Sequence, residues 1–356
     1  TPGLIDCHVH VTASGLDPLA EMQQPFSYQF YAAEQNLERT LDVGVTTVRD
    51  AGGADLGIKK AIDDGLIDGP DLVPAIQILG QTGGHTDGWM VSGDTLTFAQ
   101  PHPGRPPAVV DGPEEMRKRV RELIRAGAEV IKICTSGGVL SPRDDPRHPQ
   151  FSPEELAVCV AEASAVGIPV MAHAQGKPGI LNAVNAGVAS IEHGIYADDE
   201  VFALMIERGV YLVPTLLAPV ALIQSIDEGA RQPAAIEAKA RAVVQIHQDM
   251  LARAVRAGVK IAMGTDSGVF AHGRNVEELA LMLSVGMTPQ QVLVAATSNA
   301  ADLLGKDDRG IIAAGKRADL NVVTGDVFDV ASHGERLTHV LKQGEVVRRY
   351  PDRANG

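Results

Sequence analysis

The sequence predicts an α/β fold, a (β/α)8 barrel, and two observations carry the prediction. Short, apolar, β-rich runs alternate with longer stretches of helical period, the mark of repeated βα units and a parallel sheet. Eight such runs occur, and their C-terminal ends carry His, Lys, Glu, Arg and Asp although the runs themselves are apolar. In a (β/α)8 barrel the chemistry sits at the carboxyl ends of the strands.

The eight runs, in order, are Leu4 to Val11, Thr46 to Arg49, Leu72 to Ile78, Glu129 to Cys134, Pro169 to His173, Ser190 to Glu192, Tyr211 to Val213 and Lys260 to Met263. Helix starts are legible between them. Ser152-Pro153 with Glu155, and Thr288-Pro289 with Gln291, each place a capping hydroxyl before a proline and a Glu or Gln three residues on. At the strand ends stand His8 and His10, Arg49 and Asp50, Lys132, His173, Glu192 and His193, and Thr265 and Asp266. Such groups are costly on buried strands unless paired or ligated.

Composition narrows the partners. The chain of 356 residues is 45% hydrophobic and 21% charged, enough to bury a large core. A formal net charge of -14 argues against nucleic acid or an anionic membrane as a partner. A small-molecule substrate is expected instead, and a homo-oligomer is compatible with the sequence. Cys7, Cys134 and Cys159 have no CxxC spacing and read as small buried apolar residues. No apolar run reaches the roughly 20 residues of a membrane helix, and no signal peptide is visible, so a cytoplasmic location is expected.

The first strand places Asp6, His8 and His10 on one face by the period of two, with Cys7, Val9 and Val11 on the other. A single histidine at a strand end is more often a hydrogen-bonded structural residue than a ligand. A His-x-His pair aims two imidazoles at one point, and neutral imidazole is a common zinc ligand.

The run Pro2-Gly3-Leu4-Ile5-Asp6-Cys7-His8-Val9-His10, the strand-end Lys132, His173 and His193, and Gly264-Thr265-Asp266-Ser267 resemble the amidohydrolase superfamily. The resemblance covers nearly the whole chain, with 41 residues from Lys132 to His173, 20 to His193 and 73 more to Asp266. It implies the binuclear branch, with His8, His10, a carboxylated Lys132, His173, His193 and Asp266 holding two divalent ions, expected to be zinc. A free ammonium has no lone pair and repels a dication, so Lys132 would ligate only after carboxylation by carbon dioxide. The alternative is that Lys132 neutralises a nearby carboxylate, an expensive arrangement on the buried run Val130 to Cys134. Two dications, a carbamate, Asp266 and a bridging hydroxide leave a small net positive charge that can stabilise an oxyanion. In that reading the hydroxide attacks an amide carbonyl, and Asp266 serves as general base and then as general acid toward the leaving nitrogen.

Loops after the third, sixth and eighth strands supply candidate substrate-binding residues: His85, Tyr196 and His272, with Arg143 as a further carboxylate ligand. Together with Val48-Arg49-Asp50-Ala51-Gly52-Gly53, these loops resemble the imidazolonepropionase-related group that includes Xaa-Pro dipeptidases and metallocarboxypeptidases. That resemblance implies cleavage of a dipeptide or N-acyl amino acid to release a C-terminal amino acid. Lactones, carbamates and cyclic amides are alternative substrates for the same cage, and a non-catalytic metal-binding relative is the alternative of another class. Residues 1–308 are expected to form the barrel. Residues 309–356, with Gly315-Lys316-Arg317-Ala318-Asp319-Leu320, resemble the C-terminal part of the family's small β-sandwich. Its other half would precede the first strand, and the abrupt start at Thr1 is read as a truncation, which makes the location provisional.

Overall fold

The computed structural model describes residues 1–15, 17–141 and 143–351, so the last five residues of the expected C-terminal segment lie outside the described residues. The named barrel strands are β1 (Leu4–Val9), β2 (Val45–Asp50), β3 (Asp71–Pro74), β4 (Ile78–Leu79), β5 (Ile131–Cys134), β6 (Val170–Ala174), β7 (Ser190–His193) and β8 (Tyr211–Val213). They pair in the orders β1-β2-β3 and β4-β5-β6-β7-β8, all in parallel.

Two joins differ from the expected runs. The run Leu72 to Ile78 is not one strand, because its first part pairs with β2 and its end pairs with β5. Pro74 offers no N–H to continue the ladder, and Ile76 takes φ 69°, a left-handed conformation that is unfavourable for a β-branched residue. The Glu129 N–H donates to the Pro74 carbonyl at 2.9 Å and bridges the bend. The eighth run, Lys260 to Met263, is not a regular strand either, yet it is bonded on both sides. Leu212 N–H donates to the Lys260 carbonyl at 2.9 Å, and Cys7 N–H to the Met263 carbonyl at 2.9 Å. Farther along, Asp266 N–H donates to the His8 carbonyl and His10 N–H to the Ser267 carbonyl, both at 2.7 Å. The parallel sheet thus returns to its first strand at the end where the His and Asp side chains stand.

Helices cover the outside. The two expected cap signals form full capping boxes, at Ser152 before the helix Pro153–Ser164 and at Thr288 before the helix Pro289–Ala295. Strand residues such as Leu4, Val48, Leu72, Ile131, Ile191 and Leu212 pack with helix residues such as Leu37, Ile58, Leu123, Leu156 and Ile180 in one buried cluster. Each such side chain stabilises the fold by roughly 1.5–3 kcal/mol. All three cysteines are free and buried. No helix among the described residues is long and apolar enough to cross a membrane.

Beyond the barrel, β9 (Leu320–Val323), β10 (Leu337–Lys342) and β11 (Glu345–Arg349) form an antiparallel sheet in the order β11-β10-β9. Pro2 bridges Leu320 beside β9, and Gly3 N–H donates to the Asp319 carbonyl at 2.8 Å. One face of the sheet packs Leu337 and Val340 on Leu41 of the helix Tyr28–Asp42.

Candidate metal centre

β1, β5, β6, β7 and the segment after the eighth run deliver their polar ends to one place. The rings of His10 and His8 lie 5.5 Å apart, those of His8 and His193 5.1 Å, and those of His193 and His173 4.6 Å. Asp266 closes the group on one side: its Oδ1 is 3.2 Å from His10 Nε2 and 3.4 Å from His8 Nε2. His8, His10 and Asp266 have ligand atoms near enough to one another to hold a single ion.

Each imidazole has one nitrogen committed elsewhere, which decides what the other can do. His8 Nδ1 is 2.7 Å from Glu192 Oε2, so it carries the proton and leaves Nε2 as the lone pair. His10 Nδ1 donates to the Gly52 carbonyl at 2.9 Å, and His193 Nδ1 meets Thr215 Oγ1 at 2.7 Å. His173 is reversed: its Nε2 donates to the Gly137 carbonyl at 3.2 Å, leaving Nδ1. Burial, with Lys132 and the neighbouring imidazoles adding to it, pushes His8, His173 and His193 well below the usual histidine range. That direction favours the neutral form, the one that ligates metal. Burial pushes Asp266 up, but His8, His10 and Lys132 outweigh it and hold the carboxylate well below its usual range.

Lys132 lies on β5 with 2% of its surface exposed, and its Nζ has no hydrogen-bond partner. Burial pulls its pKa down, with Glu192 and Asp266 pulling the other way. Among the described residues it makes no salt bridge with any carboxylate, so direct neutralisation does not account for it. Glu192 is taken by others: its carboxylate accepts from Arg49 Nη2 at 2.9 Å and Ser190 Oγ at 2.5 Å besides His8.

Asp6 does not join the metal-facing group although it shares the period of His8 and His10. Its Oδ2 accepts from Thr265 Oγ1 at 2.6 Å and Asn275 Nδ2 at 2.8 Å, and its Oδ1 from His8 N–H and Thr265 N–H, both at 3.1 Å. It clamps β1 to the segment that carries Asp266, whose φ of 64° needs such restraint.

The expected substrate residues fare differently. His85 stacks on His173 at 4.2 Å and 18°, with Nδ1 2.7 Å from Ser141 Oγ. Tyr196 is half-buried in the loop after β7, where its N–H donates to the Gln175 carbonyl at 2.8 Å. Arg143 is exposed, its guanidinium 5.1 Å from the Trp89 ring. His272 has no nitrogen to spare for a substrate. It is buried, Nδ1 meets Thr40 Oγ1 at 3.2 Å, and Nε2 meets the His10 carbonyl at 3.2 Å. Sequence reasoning noticed Arg49 and Glu192 as charged strand ends without seeing that they steer His8. Thr215, in Val213-Pro214-Thr215, carried no signal at all.

The sequence pattern of the amidohydrolase family matches residues 1–347. The chain belongs to the amidohydrolase family. As a member, this amidohydrolase is a hydrolase, and the His8, His10 and Asp266 cluster fits the family's general dependence on metal. It is similar to ochratoxinase of Aspergillus niger, 36% identical over 365 residues, 98% of this chain and 75% of that protein. It is also similar to the crystal structure of a prolidase complexed with N-methylphosphonate-L-proline, at 37% identity and TM-score 0.90 over 98% of this chain and 86% of that one. A Xaa-Pro dipeptidase with bound methionine in its active site matches at 36% identity and TM-score 0.88, over 98% and 86% of the two chains.

Proposed function

We propose that this amidohydrolase cleaves an amide or peptide bond in a dipeptide or N-acyl amino acid and releases the C-terminal amino acid. The observation that carries the reading is the buried, partnerless Lys132 Nζ set among His8, His173 and His193, which burial drives toward the neutral form, and the Asp266 carboxylate. A carboxylated Lys132 suits that setting: the added carboxylate would turn a cation that repels metal into an anion able to bridge two ions. His8 and His10 through Nε2, Asp266, and the carbamate would hold one zinc ion, and His173 through Nδ1, His193 through Nε2 and the same carbamate the other. Bound there, the ions would supply Lewis acidity, lowering the pKa of water and polarising a carbonyl.

The chain's own residues set the rest. Asp266 is ionised and beside His8 and His10, so it can take the proton of the attacking water and return it to the departing nitrogen, which leaves poorly as an anion. Glu192 and Arg49 fix the His8 tautomer from behind. His85, anchored at Nδ1, can direct Nε2 toward a substrate carbonyl or carboxylate, and Tyr196 and Arg143 stand in neighbouring loops for the same purpose. The relatives support the substrate class, since ochratoxinase and two proline-peptide hydrolases are among them.

The test is a panel of Xaa-Pro and other dipeptides and N-acyl amino acids, assayed for free amino acid, with Asp266→Asn alongside. Turnover by the parent and a loss of about a hundredfold or more in the variant are expected. Either an inert parent with two equivalents of zinc bound, or a variant as active as the parent, overturns the reading.

A further inference from the structure

Aromatic side chains are scarce in this chain, one Trp, five Tyr and seven Phe, and their placement is uneven. Of the six exposed ones among the described residues, five stand on two segments at the catalytic end: Phe26, Tyr28 and Tyr31 after β1, and Trp89 and Phe98 after β4. Leu19, Met22 and Val91 on the same segments are exposed as well. An exposed apolar surface of this kind at the mouth of a site is a recognition feature more often than an accident.

The two segments are joined and anchored. Gln100 Nε2 donates to the Glu21 carbonyl at 3.4 Å, and Phe26 packs edge-on against His102 at 5.8 Å. Arg105, buried at the base, donates to the carbonyls of Gly53 and Gln100. The inner end of this surface reaches the metal centre itself: the Phe98 ring meets His10 edge-on at 4.9 Å, while Phe98 remains 40% exposed. Trp89, bridged to Thr95 on the same loop as Phe98, lies under the Arg143 guanidinium.

We infer that Phe98 and Trp89 form an apolar wall running outward from His10, and that it selects substrates whose acyl group is bulky and apolar over those with a small one. The inference rests on the amide-hydrolase reading above and deepens it. Continuity with His10 argues for substrate as the occupant, because a partner protein seated on the patch would have no reason to reach a buried ligand position. Arg143 is held over Trp89 where it would meet a polar group at the outer end of such a substrate.

The experiment compares N-acetyl-leucine with N-cyclohexylacetyl-leucine. The parent is expected to show a kcat/KM about tenfold or more higher for the cyclohexyl compound, mainly through KM. In Phe98→Ala that ratio is expected to fall toward one. Trp89 is the chain's single tryptophan, so its fluorescence gives a second readout that needs no turnover. On Asp266→Asn, the cyclohexyl compound is expected to cause a saturable blue shift that N-acetyl-leucine does not. Equal kcat/KM for the two compounds with no shift at Trp89 overturns the wall while leaving amide hydrolysis intact. A parent that cleaves neither these nor any dipeptide fails the underlying reading instead, and the fluorescence still reports on the wall. If Phe98→Ala changes the sedimentation of the parent and not its selectivity, the patch is an interface between copies, and the inference is wrong.

Discussion

His8 shows how a candidate metal ligand is oriented from behind by residues on other strands. Its Nδ1 is held by Glu192, which Arg49 and Ser190 hold in turn, so the Nε2 lone pair points one way only. Glu192→Gln keeps the shape but removes the anion that enforces this tautomer. A loss of metal affinity of about 10–100-fold is expected, measured by competition with a chelator indicator, with near-parent far-UV circular dichroism. Unchanged affinity would show that His8 needs no such partner. At this scale the sequence was partly readable. His-x-His, Lys132 and Asp266 could be singled out because they are ionisable groups on apolar runs. His272 looked the same in the sequence, and only its contacts with Thr40 and the His10 carbonyl show that its nitrogens are taken. The period of two also put Asp6 beside His8 and His10, and only its hydrogen bonds to Thr265 and Asn275 reveal a clamp.

Elements join through a half-buried charge cluster at the far end of the barrel. Asp71, at the start of β3, meets Arg309 Nη1 at 2.7 Å, Arg317 Nη1 at 2.6 Å and Lys342 Nζ at 3.1 Å, tying β10 and the chain before β9 to the barrel. Burial pushes Asp71 up, but Lys342, Arg309 and Arg317 win and bring its pKa down to about 2 from 3.8. A depressed carboxylate contributes its stabilisation above the unfolded pKa and loses it as pH falls through the folded one. Asp71 therefore stabilises the fold by roughly 2 kcal/mol near neutrality, and this contribution disappears between about pH 4 and pH 2. In thermal melts the parent is expected to exceed Asp71→Asn in Tm at pH 7 and to converge with it near pH 2; a constant gap across that range would refute the linkage. Helix starts were legible at this scale, because a capping box is local. The bend at Ile76 was not, since a run from Leu72 to Ile78 looks like one strand until its two ends take different neighbours.

For the whole molecule, the candidate ligand positions come from strands spread around the barrel, so metal bound there would be linked to global stability. Zinc at about 1,000 times its dissociation constant contributes about 4 kcal/mol. Chelation is accordingly expected to lower Tm by several degrees, and zinc to restore it, read by calorimetry alongside elemental analysis. Lys132→Ala should erase most of that difference; a parent that holds no metal and melts identically with and without chelator would remove the centre altogether. The sequence alone determined the alternation of strand and helix, the class of fold and the identity of the ionisable strand ends, because these follow from periodicity and the cost of burying charge. Tertiary structure decided which of those ends converge, which nitrogen of each histidine is free, and that Phe98 lies against His10. Those facts depend on contacts between residues far apart in the chain, such as His8 with Glu192 and Cys7 with Met263, which no local pattern encodes.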